Sequence, residues 1–127
     1  ILDKYDIKQE IFLFEVLAES LGSSVATRFK NFSKHPVIQR DLAFVVSKNK
    51  PSRELIKLIT NNAGKNLTNL KVFDVYEGKG IPEGKKSIAF SLTWQAGNRT
   101  LLDKEVDVFI KKIVRCLTKE LNAKLRT

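Results

Sequence analysis

From His35 onward the chain switches between two hydrophobic periods in a fixed order, and that order restricts the fold more than any other feature. Arg40 to Ser47 (RDLAFVVS) alternates, with Leu42, Phe44 and Val46 on one side and Asp41, Ala43 and Val45 on the other. Lys48 to Ser52 is turn chemistry that leads into a helix. Leu55, Ile56, Ile59 and Ala63 then recur at helical spacing, and Gly64 supplies a stop. Leu70 to Tyr76 (LKVFDVY) alternates again, and Lys86 to Gln95 (KSIAFSLTWQ) is a further strand. The connection between them holds Gly78, Gly80, Pro82 and Gly84, so the pair is predicted to form an antiparallel hairpin with a long loop. Asp103 to Leu121 carries Val106, Phe109, Ile110, Ile113 and Leu117, the stripe of a long amphipathic helix. Ala123 to Arg126 fits a short closing strand.

The order β-α-β-β-α-β predicts an α+β, ferredoxin-like fold: a four-stranded antiparallel sheet with both helices on one face. Alternation then assigns the faces. Leu42, Phe44, Val46, Phe73, Val75, Ile88, Phe90, Leu92 and Trp94 are expected under the helices. Asp41, Ala43, Val45, Val72, Asp74, Tyr76, Ser87, Ala89, Ser91 and Thr93 are expected on the opposite face. That second set lacks the long charged residues that usually coat a solvated sheet. Small side chains beside one Tyr and one Asp leave room for a flat ligand, as in sheets that stack single-stranded RNA bases.

Residues 1–34 read differently. Gln9 to Val16 holds the apolar run IFLFEV, predicted as one buried strand, and 17–34 as a linker broken by Gly22-Ser23-Ser24. A lone strand needs a partner, so this segment is expected to be the trailing strand of a preceding module, with the second domain covering 35–127. There is no methionine, even at position 1, and the simplest expectation is a piece from the end of a longer chain.

Twenty-three Lys and Arg face 14 Asp and Glu, a formal charge of +9. This excess favours a polyanionic partner, nucleic acid or an anionic membrane surface, over an acidic substrate. It is dispersed, which argues against a disordered basic tail. One cysteine, Cys116, excludes a disulfide scaffold and a cysteine zinc cluster, and fits a reducing, cytoplasmic setting. No apolar stretch is long enough to span a membrane.

Catalytic constellations are missing from the pattern. His35 precedes Pro36 without a partnered nucleophile and is expected to be structural. Cys116 sits beside the apolar stripe of the long helix and is expected to be a small buried hydrophobe. Trp94 has core parity. The glycines of YEGKGIPEGKK match neither a dinucleotide fingerprint nor a P-loop, leaving a hairpin loop whose Lys79, Lys85 and Lys86 can meet phosphates. Tyr76, pointing away from the core, suits stacking on a base. Asp74 repels phosphate but can accept hydrogen bonds from a base edge.

The strings FSKHPVIQRDLAFVV, LKVFDVYEGKGIPEGKKSIAFSLTWQ and NRTLLDKEVDVFIKKIV, in that order, resemble the C-terminal ferredoxin-fold anticodon-binding domain of bacterial phenylalanyl-tRNA synthetase beta subunits. The resemblance covers roughly three-quarters of the chain, from Phe32 to the end, and YDIKQEIFLFEV is similar to the stretch just upstream in those subunits. It implies the fold already read, a grip on the anticodon stem-loop of tRNA(Phe), and an alpha-subunit partner in an α2β2 enzyme. It also implies that aminoacylation with ATP and Mg²⁺ belongs to the alpha subunit, with no cofactor in this chain. Carried onto matching positions, the contacts to the first anticodon base are Ala43, Asp74, Tyr76 and Ser87, all on the face that alternation leaves free.

Three positions depart from the family pattern. Gln39 stands where Arg is common, and His35 replaces a frequent aromatic. Leu102 stands where Thr is often found before the last helix, so Asp103 is expected to cap it or the cap is weakened. Two other classes share the topology. A regulatory or protein-interaction module without RNA binding does not need the basic excess. An acylphosphatase-like enzyme needs a phosphate-cradling loop with a positioned Arg and Asn, which the sequence does not offer.

Overall fold

The computed structural model describes residues 11–22 and 34–126. The chain divides into two units, residues 1–31 and 32–127. In the first, residues 11–16 are exposed and carry no strand within this chain, which does not include the preceding module expected to pair with them; Gln9 and Glu10 of the expected strand lie outside the described residues. A 3-10 turn, Ala18–Leu21, follows and ends at Gly22, where φ is 72°. Most of the expected linker beyond it also lies outside the described residues.

The second unit runs β1 (Ile38–Ser47), α1 (Ser52–Asn62), β2 (Leu67–Tyr76), β3 (Lys85–Trp94), α2 (Asp103–Leu121) and β4 (Lys124–Arg126). The sheet order is β2-β3-β1-β4, with every neighbouring pair antiparallel. This is the ferredoxin-like arrangement that the hydrophobic periods predict. Phe44 and Val46 of β1 and Ile88, Phe90, Leu92 and Trp94 of β3 are buried in one core with Leu55 and Ile59 of α1 and Val106, Ile113 and Leu117 of α2. Trp94 is fully enclosed, and its indole N–H donates to the Ala63 carbonyl at 2.8 Å, satisfying the one polar atom that its burial would orphan.

The end of α1 is held by a glycine for two reasons. Gly64 has φ +78°, and a Cβ there would sit 2.5 Å from the Phe109 ring of α2. Gly64→Ala is therefore expected to cost at least about 1–2 kcal/mol. Thermal denaturation should show the midpoint falling by several degrees or more.

The start of α2 decides between the two expectations for its cap, in favour of the weakened one. Leu102 is the N-cap residue and Asp103 the first helical residue, so Asp103 does not cap. Instead Asp103 pairs with Arg40, and the Glu105 carboxylate accepts from the Leu102 N–H at 3.0 Å and from the Arg99 guanidinium. These bonds, the Arg99 one foremost, lower the Glu105 carboxyl from 4.5 to about 2. Its contribution to stability is thus complete above its unfolded value and is lost as pH falls toward 2.

β2 departs from the predicted alternation. Val72 pairs with Phe90, and the next residue to find a partner is Asp74, opposite Ala89. Phe73 is the extra residue of a β-bulge. The expected faces of two residues therefore exchange: Val72 packs against the core, while Phe73 turns to the open face and is 53% exposed. Val75, opposite Ile88, keeps the helix-side parity but lies on an edge strand and remains exposed.

Candidate nucleic-acid interface

Cross-strand partners share a face, so the register states which side chains lie side by side. One row across the open face reads Asp74, Ala89, Ala43, Arg126, taking one residue from each strand. The next row reads Tyr76, Ser87, Val45, Lys124. Ala43, Asp74, Tyr76 and Ser87 thus fall within two adjacent rows, on the face opposite the core. Ala43, Ala89 and Ser87 form a low strip, with Asp74 exposed at its β2 edge.

Two contacts hold Tyr76, and a glycine leaves room for it. Its hydroxyl donates to the Lys79 carbonyl at 3.3 Å. Gly78 adopts φ +146°, and a Cβ there would meet that hydroxyl at 2.9 Å. The Arg126 guanidinium lies 5.8 Å from the ring centroid, a cation–π contact made across the two intervening strands. Arg126 escapes sequence reasoning because a three-residue closing strand carries almost no register signal. Only its pairing with Ala43 puts it in the row with Asp74.

The three loop lysines separate. Lys79 is exposed beside Tyr76. Lys85 pairs with Ser47 and shares the open face, whereas Lys86 pairs with Val46 and leaves the sheet on the helix side. Further along the same open face lies a shallow groove of about 350 Å³ lined by Gln39, Asp41, Asn69, Lys71, Phe73, Ser91 and Thr93. Its Gln39 amide donates to the Ser91 hydroxyl at 2.9 Å.

Among the described residues, no group of His, Cys, Asp or Glu is arranged to hold a metal ion. The glycine loop joins two strands rather than opening a helix, so it is not a phosphate cradle of the P-loop kind. His35 accepts from the Gln95 side chain at 2.6 Å through its backbone carbonyl. Cys116, expected to be buried, is half-buried with a free thiol. No described helix is long and apolar enough to cross a membrane.

A family model for the ferredoxin-fold anticodon binding domain matches residues 33–126. The chain belongs to that family. The anticodon-binding domain fold therefore accounts for everything from β1 to β4. The chain is also similar to phenylalanine–tRNA ligase beta subunits from Clostridium tetani (39% identity, 99% of this chain), Pseudomonas putida (40%, 94%) and Legionella pneumophila (41%, 98%). It spans only 15–16% of the length of those relatives.

Proposed function

We propose that the open face binds the anticodon stem-loop of tRNA(Phe), with Ala43, Asp74, Tyr76 and Ser87 around the first anticodon base and Lys79 and Lys85 on nearby phosphates. The observation that carries this reading is the low strip of Ala43, Ala89 and Ser87, bounded by an anchored aromatic ring and a carboxylate. A planar base takes the place of the Arg126 guanidinium that crosses this strip and covers Ser87 and Ala89, with its face on Tyr76 and its edge toward Asp74. The larger protein is read as a phenylalanine–tRNA ligase beta subunit acting with an alpha subunit in an α2β2 assembly in the cytoplasm. In this reading ATP and Mg²⁺ serve the alpha subunit, and residues 1–34 lead from a preceding module into the domain at 35–127. A regulatory or protein-interaction role for the same face has no specific observation in its favour.

The test is a titration of tRNA(Phe) against the chain over a salt series. With Lys79 and Lys85 both on phosphates, log K should fall against log salt with a slope of about −1.4 or steeper. A slope near zero removes nucleic acid as the ligand and favours the protein-interaction class.

A further inference from the structure

The bulge in β2 places two consecutive residues on the open face, and the proposed function uses only the second of them. Asp74 belongs to the row of the first anticodon base, while Phe73 precedes it and lines the neighbouring groove. We propose that this groove is a second nucleobase subsite, holding the base next to the first anticodon base with its face on Phe73 and its edge toward Asn69 and Ser91. The inference rests on the anticodon reading of the adjacent site.

Three observations support it. An aromatic side chain more than half exposed on a sheet face is a hydrophobic cost that a stacked base removes. The groove's formal charges are one Lys71 and one Asp41, so it offers no net attraction to a phosphate; its amides and hydroxyls suit a neutral, hydrogen-bonding ring. It is also continuous with the first site. Ser91 stands four residues from Ser87 on β3, about 13 Å at the usual rise of a strand. Phe73 lies between those positions, within reach of a neighbouring nucleotide in an unstacked loop.

Synthetic anticodon stem-loops test this, one intact and others with a single abasic nucleotide at the first anticodon position or on either side of it. Each is titrated against the wild-type chain, Phe73→Ala, Phe73→Leu and Tyr76→Ala. Phe73→Ala should weaken binding of the intact RNA about five- to a hundredfold. It should have little further effect on the RNA that lacks the partner base, since two changes to one contact do not add. Phe73→Leu keeps an apolar side chain without a π face and should behave alike, which carries the test if the alanine variant loses its fold. If Phe73 couples to neither flanking base while Tyr76 still couples to the first, the second subsite does not exist and the anticodon reading stands. If Tyr76 couples to no base either, both fall.

Discussion

Tyr76→Ala should weaken binding of tRNA(Phe) by about tenfold to a hundredfold at moderate salt, the range expected when a base loses an aromatic partner. The loss should be large because the ring is already held before RNA arrives, by the Lys79 carbonyl and the Arg126 guanidinium. Ordering of the ring itself, which would otherwise oppose association, is made in the free protein. Tyr76→Phe keeps the ring and its contact with Arg126, so it should retain most of the affinity. The fold should persist in both variants, since the core cluster contains no atom of Tyr76. A filter-binding or fluorescence titration decides the point, with thermal denaturation beside it. A collapse of thermal stability in Tyr76→Ala would mean that the ring supports the fold and not the RNA.

Asp74→Ala should act on selectivity and leave the salt dependence almost alone. The guanine Watson–Crick edge presents N1–H and N2–H₂, two donors for a carboxylate, whereas adenine presents an acceptor at N1. A charged hydrogen bond contributes about 1.5–3 kcal/mol, and an unmatched acceptor pair costs as much again through lost solvation. The preference for G over A at the first anticodon position should therefore fall by about tenfold or more in the variant. Lys79→Ala and Lys85→Ala should do the reverse, each reducing the magnitude of the salt slope by about 0.7–0.9 with little change in base preference. Lys86→Ala, on the helix side of the sheet, should change neither. Two tRNAs differing only at that base, titrated over a salt series, separate the two kinds of effect. An unchanged G-over-A ratio in Asp74→Ala would show that this carboxylate does not read the base.

Element order and most of the core were legible because burial on one face leaves a period-two or a 3.6-residue trace whichever neighbours provide it. Asp74, Tyr76 and Ser87 carried correct parity for the same reason. Phe73 and Val72 did not, since LKVFDVY alternates equally well in a strand that contains an extra residue. The bulge is decided by pairing with β3, which no local pattern records. Arg126 was invisible for a related reason: its place depends on which residue of β1 a three-residue strand meets. At the head of α2, Leu102 has no side-chain acceptor to offer the first turn, and Glu105, braced by Arg99, supplies only the reciprocal half of a capping box by accepting from the Leu102 N–H.

The extra residue in β2 has a bearing on how such a surface changes over time. Removing Phe73 alone would join Val72 directly to Asp74, and their partners Phe90 and Ala89 are already consecutive on β3. Both flanking segments would keep their pairing, and every other side chain of the strand would keep its face. A single-codon gain or loss at this point therefore adds or deletes one aromatic on the outer surface while the packed side remains as it was. Substitution at Phe73 changes the side chain but leaves the extra residue, and with it the bulge, in place. Strand length is thus a second variable, beside residue identity, through which this face can widen or narrow its grip.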